Sequence, residues 1–147
     1  MTVRTKICGI GCAANLAAAV SAGADAVGFI VATTHESEDE LAVQQAHELA
    51  CATPVFVGRV LVTHTTDPDA ILQLADDVGA DVIQVHGVVN RRALRSVWRR
   101  RCARHEANVA EAIHFVRPFG VDANSRLKDA HGRKDAAACA AFVAATY

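Results

Sequence analysis

No stretch of about 18 consecutive apolar residues occurs in the chain, which excludes a conventional membrane-spanning helix. The first residues carry no charged-then-apolar-then-small pattern, so no secretory leader is expected and the chain reads as cytoplasmic. Cysteine is sparse and irregular. Cys8, Cys12, Cys51, Cys102 and Cys139 are odd in number, which argues against a secreted disulfide framework and leaves reduced thiols. Cys8 and Cys12 match the first two positions of a CxxxCxxC cluster motif, but Asn15 stands where the third thiol belongs, so no metal site is expected. Acids and bases nearly balance, at a net charge of −1, but they are segregated along the chain. Residues 1–87 hold eleven acids against Arg4, Lys6 and Arg59, whereas residues 88–147 hold five acids against twelve bases.

What is present is a repeated βα pattern. Ala22-Gly23-Ala24-Asp25-Ala26-Val27 returns 56 residues later as Val78-Gly79-Ala80-Asp81-Val82-Ile83, and Phe119-Gly120-Val121-Asp122 is a looser third version. In each copy the Gly is expected to end a helix in the left-handed conformation, and an apolar run follows that suits burial on both faces of a parallel sheet. Strands are expected near Thr5–Gly9, Ala26–Val31, Phe56–Thr63, Val82–His86 and Phe119–Ala123. Helices are expected near Ala13–Ala22, Leu41–Cys51, Pro68–Val78, Arg91–Arg101, Asn108–Val116 and Asp135–Ala145. Asp67-Pro68 is a strong helix start, since Asp67 can cap free N–H groups and Pro68 suits the first helical position. At 147 residues the chain suits one domain, with four βα units in 1–87, a divergent segment in 88–107 and a closing helix–strand–helix in 108–147. The fold class is α/β. A (β/α)8 TIM barrel needs eight strands and about 250 residues, so about five parallel strands with outer helices make an incomplete barrel.

Chemistry in α/β folds sits where strands hand over to loops, and Thr5-Lys6-Ile7-Cys8-Gly9-Ile10 puts a thiol at such a place. That opening, the Ala22–Phe29 strand, Gln84-Val85-His86-Gly87 and Arg117-Pro118-Phe119-Gly120-Val121-Asp122 occur in the same order as in phosphoribosylanthranilate isomerases, and the chain resembles that family over residues 3–87 and 107–145. The resemblance implies a cofactor-free Amadori rearrangement of N-(5-phosphoribosyl)anthranilate to carboxyphenylamino-deoxyribulose phosphate in tryptophan biosynthesis. It assigns Cys8 as general base, a role a thiol can fill when nearby positive charge favours its thiolate. It places Gln84, His86, Asp122, Asn124 and Ser125 around a phosphorylated small-molecule substrate.

Several departures from the family accompany the resemblance. The family's general-acid Asp follows a sixth strand that no segment here matches. Cys102-Ala103 and Asn124-Ser125-Arg126 stand where glycine-bearing phosphate loops belong, and Arg126 in place of Gly disfavours close backbone approach while offering a guanidinium to phosphate. The acidic run Thr33–Glu40 lacks the Arg that holds the anthranilate carboxylate, leaving His35 as its substitute, and His64 reads as a loop residue. Taken alone, Asp122 reads equally as a loop cap or a site residue. Three strands fewer would also leave sheet edges open to homo-oligomerisation.

Between Arg91 and Arg104 lie seven arginines and Trp98 with no acid among them. Such a run could bind nucleic acid, with Trp98 stacking on a base, but without a recognised module that is the weakest reading. A solvated basic helix is the plainer one. Out-of-frame translation of GC-rich DNA beside a deletion accounts for both the composition and the missing length. The alternative function that follows is a catalytically dead remnant of the isomerase.

Overall fold

The computed structural model describes residues 3–86, the backbone of 103–104, and residues 119–146. The expected helices at Arg91–Arg101 and Asn108–Val116, residue Gly87 and residues 91–102 of the basic run lie outside the described residues. The described elements are β1 (Arg4–Ile7), α1 (Ala13–Ser21), β2 (Ala26–Ile30), α2 (Val43–Ala52), β3 (Gly58–Thr63), α3 (Pro68–Val78), β4 (Val82–Val85), β5 (Ala103–Arg104), β6 (Gly120–Ala123) and α4 (Ala136–Ala144). They build one parallel sheet in the order β4-β3-β2-β1-β6-β5. The last full strand therefore returns to lie beside the first, Lys6 opposite Asp122 and Ile7 opposite Ala123. This is the expected incomplete barrel with one addition: a two-residue β5, drawn from the basic segment, pairs with β6.

Strand alternation sorts the side chains into two layers. Ile7, Val27, Phe29, Leu61 and Val121 join the main core, which includes residues of all four helices such as Leu16, Ala46, Ala75, Val78 and Phe142. Each large side chain so buried contributes roughly 1.5–3 kcal/mol. On the opposite face Cys8, Val60 and Val62 form a second, smaller cluster with Ala26 and Ile30. The first layer joins the sheet to the helices; the second lies on the sheet's other face.

Helix α3 begins and ends where its sequence dictates. The Asp67 side chain accepts from Ala70 N at 3.3 Å, Pro68 opens the first turn, and Gly79 closes the helix at φ 76°. Gly23 takes the same left-handed turn after α1, but Gly120 does not: it opens β6, and an added Cβ there would lie 2.8 Å from the Arg4 carbonyl oxygen. The third copy of the pattern thus differs from the other two, and so does its aspartate.

In the two true copies the Asp ties its own strand to a neighbour. Asp25 accepts from Thr5 N at 2.8 Å and pairs with Arg4; Asp81 accepts from Arg59 N at 3.0 Å and pairs with the Arg59 guanidinium at 2.6 Å. Against the cost of burial, the Thr5 and Arg4 contacts hold the Asp25 carboxyl below its ordinary range, and the Arg59 side chain does the same for Asp81. A depressed folded-state value means that the stabilisation is present above the unfolded value near pH 4 and lost as pH falls through the folded one. Asp25→Ala is expected to cost about 1.5–3 kcal/mol and to flatten the acid limb of a pH-dependent thermal melt, with a smaller loss for the more exposed Asp81.

Candidate active site

Lys6 lies in β1 and Cys8 directly follows its last residue, two positions on, so both side chains point to the inner face of the sheet, away from the helices. Room for them comes from β2. An added Cβ on Gly28 would lie 2.7 Å from Cys8 Sγ and 3.1 Å from Lys6 Cε, so both side chains lie over the one residue of that strand with no side chain. Gly28→Ala would drive the new methyl into the thiol and into the Cys8 Cα at 3.2 Å. It is expected to lower stability by about 1–3 kcal/mol in a denaturant melt and to displace the sulfur.

From β6, Asp122 meets Lys6, with Oδ2 2.8 Å from Nζ and the two side chains 13% and 8% exposed. This is an ion pair rather than a directed hydrogen bond, and among the described residues Lys6 Nζ and Asp122 Oδ1 have no hydrogen-bond partner. The position is not a loop cap: Asp122 lies within β6. Burial pushes the Cys8 thiol up, Lys6 opposes that rise and Asp122 adds to it. Burial works equally against the Lys6 charge, but the attraction of Cys8 and Asp122 prevails and holds the ammonium above its usual value. A thiol, an ammonium and an acidic side chain thus meet in one largely buried place.

Cys8 and Asp122 open onto a cleft of about 540 Å³ lined also by Thr33, His35, His64, His86, Asn124, Ser125 and Arg126. His35, His64 and His86 follow or flank the ends of β2, β3 and β4, with ring centroids 4.8 Å and then 6.0 Å apart. Gln84 stands behind this row, its Nε2 2.9 Å from His86 Nε2. Thr34 N donates to His64 Nδ1 at 3.1 Å, so the residue read from sequence as a plain loop position is held in the cleft wall.

The remaining wall is a charged clasp. Asn124 Nδ2 donates to Asp39 at 3.0 Å and its Oδ1 accepts from Lys134 Nζ at 2.8 Å, while Lys128 Nζ pairs with Asp39 at 2.7 Å and Glu38 at 2.9 Å. Burial lowers the Lys134 ammonium, whereas Asp39 and Glu38 raise Lys128 against its own burial. Gly9, at φ 70°, makes this possible: an added Cβ would meet Asn124 Oδ1 at 2.3 Å. Asn124 therefore lines the cleft with its amide already engaged in binding the loop after β6 to the loop after β2. Ser125 and Arg126 follow in a 3-10 turn. Among the described residues no group of three or more His, Cys, Asp or Glu side chains is placed to hold a metal ion.

Of the residues singled out from sequence, Cys8, His86, Asp122, Asn124 and Ser125 share this cleft and Gln84 stands one contact away. Lys6 is the residue sequence reasoning missed. A lysine inside an apolar strand, in step with the thiol, is the signal that could have found it.

The family described as N-(5'phosphoribosyl)anthranilate (PRA) isomerase matches residues 5–107. The N-(5'-phosphoribosyl)anthranilate isomerase of Natronomonas pharaonis is 33% identical over 199 aligned positions that cover 95% of this chain and 96% of that protein. With 147 residues to place on 199 positions, the matched ends flank positions this chain lacks. The enzyme of that name from Halobacterium salinarum is 44% identical over 84 residues, which are 57% of this chain and 38% of that protein. Among solved structures, a phosphoribosyl anthranilate isomerase in complex with reduced 1-(o-carboxyphenylamino)-1-deoxyribulose 5-phosphate is 27% identical, with a TM-score of 0.81 over 98% of both chains. A matched family over most of the chain, the shared barrel and the opening strand with its thiol lead to one conclusion: this chain belongs to the phosphoribosylanthranilate isomerase family.

Proposed function

We propose that the cleft binds N-(5-phosphoribosyl)anthranilate and that Cys8 is the base of its Amadori rearrangement. The observation that carries this reading is the position of Cys8 Sγ, beside a buried ammonium and at the floor of a cleft large enough for the substrate. In the first step water in the open cleft, in place of a side-chain acid, gives a proton to the ring oxygen, the C1′–O bond breaks, and the nitrogen lone pair forms the iminium. The Cys8 thiolate then takes the C2′ proton. An S–H bond forms, the C–H electron pair closes a C1′=C2′ bond, and the iminium nitrogen is neutralised to give the enolamine, which tautomerises. The iminium's positive charge reaches the buried sulfur at the moment the thiolate is needed, which works against the cost of burial.

Arg126 and Ser125 are assigned to the phosphate, Arg126 by its guanidinium in place of backbone donors. His35, His64 and His86 form the wall for the aromatic acid, with Gln84 orienting His86. The substrate is a soluble phosphorylated small molecule and the setting cytoplasmic; among the described residues no helix is long and apolar enough to cross a membrane. Self-association through the end strands β4 and β5 belongs to the same reading, and sedimentation velocity would detect it.

Loss of anthranilate-type fluorescence on mixing the purified chain with the substrate tests the activity. Turnover supports the proposal, and fluorescence that stays constant with binding intact favours the second reading, a relative that binds without reacting. That second reading rests on the aligned positions this chain lacks, where the family's acid is expected.

A further inference from the structure

The Lys6–Asp122 pair lies beneath the thiol with more charge than a structural strut requires. Lysine is seldom buried, and here Lys6 is buried on the inner face of the sheet against an Asp122 side chain only 13% exposed, each with a polar atom that has no hydrogen-bond partner among the described residues. Gly28 clears space for Lys6 Cε and Cys8 Sγ together, so the β2 backbone is shaped around this contact. We propose that Lys6 is a positioning residue for the base: its ammonium, anchored by Asp122, is the fixed counter-charge that lets Cys8 stand as a thiolate in a dry site. Asp122 has two opposed effects. It holds Lys6 in place, and its own negative charge disfavours a second anion beside it.

Among the described residues the groups that face Cys8 are few. Lys6 comes from β1, Asp122 from β6 and Lys134 from the segment before α4, while β2 and β3 present Ala26, Gly28, Ile30, Val60 and Val62, none of them charged. His35, His64, His86 and Arg126 line the same cleft farther along its wall. Lys6 and Asp122 therefore act on the thiol with opposite sign, and a purely structural role for the pair would not separate them.

The inference rests on Cys8 as the base for its catalytic meaning, but its test needs no turnover. The rate of iodoacetamide alkylation at Cys8, resolved by peptide mass spectrometry, is followed against pH in the full chain, with Cys12 and Cys51 as internal references because both are exposed. Asp122→Asn should move the Cys8 midpoint to lower pH. Lys6→Met added to Asp122→Asn, which leaves no lone carboxylate behind, should move it back up by about one to three pH units. Lys6→Arg should stay near the original midpoint. Equal midpoints for Asp122→Asn with and without Lys6→Met, or a midpoint that falls further when Lys6→Met is added, would overturn the inference. An isomerase assay that fails while these shifts appear would contradict the proposed activity and leave the role of Lys6 standing.

Discussion

Lys6→Met is expected to cost the fold about 3–5 kcal/mol, the loss typical when one partner of a buried ion pair is removed and the other is left uncompensated. The cost arises from Asp122 rather than from any lost attraction. Its side chain would be left without its counter-charge in a site where 13% of it is exposed, and Oδ1 already has no partner among the described residues. Lys6→Met with Asp122→Leu removes both charges and should recover most or all of that loss, because well-packed apolar side chains commonly match a buried pair. Urea melts of the two variants and the unaltered chain measure the difference. A single variant as stable as the double one would mean that water reaches Asp122. The pair's contribution is present at neutral pH: Lys6 is raised in the folded state, so its stabilisation is complete below the unfolded value and lost only as pH climbs through the folded one, in alkali.

Cys8→Ser is expected to lower kcat by about 10²–10⁴, the range a positioned acid or base supplies. The reason is chemical and not steric. A hydroxyl fits where the thiol sits beside Gly28, but it ionises far less readily than a thiol and Lys6 cannot make up the difference. KM should change little, because the cleft walls at His64, His86 and Arg126 are untouched. Equal losses in kcat and in binding of the reduced product analogue would point to a collapsed cleft instead, and a thermal melt of the variant separates the two.

Much of the scaffold was legible in the chain because its local signals agree with one another. Asp67, Pro68 and Gly79 mark both ends of α3, and the helix runs from Pro68 to Val78 as its sequence implies. The Gly-Ala-Asp repeat announced two βα units, although not that each Asp would hold the backbone of the adjacent strand. That information lies in the register, where Ala26 faces Lys6 and Val82 faces Val60, and register is long-range. β5 was illegible for a different reason. Two residues, Ala103 and Arg104, in a basic run carry no apolar alternation, and only pairing with β6 makes them a strand.

The site divides in the same way. Cys8 and His86 stand at strand ends, a position sequence can mark, and both line the cleft. The clasp of Asp39, Asn124, Lys128 and Lys134 joins residues up to 95 positions apart, and no local pattern predicts it. Lys6 falls between these cases. Its alternation with Cys8 was plain, but its meaning depended on Asp122 arriving from the far end of the chain.

The most direct measurement is protection of Cys8 by the ligand its family handles. Reduced 1-(o-carboxyphenylamino)-1-deoxyribulose 5-phosphate, added at saturating concentration, should slow alkylation of Cys8 severalfold while the exposed Cys12 and Cys51 react at unchanged rates. Unchanged alkylation of Cys8, or equal slowing at all three thiols, would contradict a substrate site built around that sulfur.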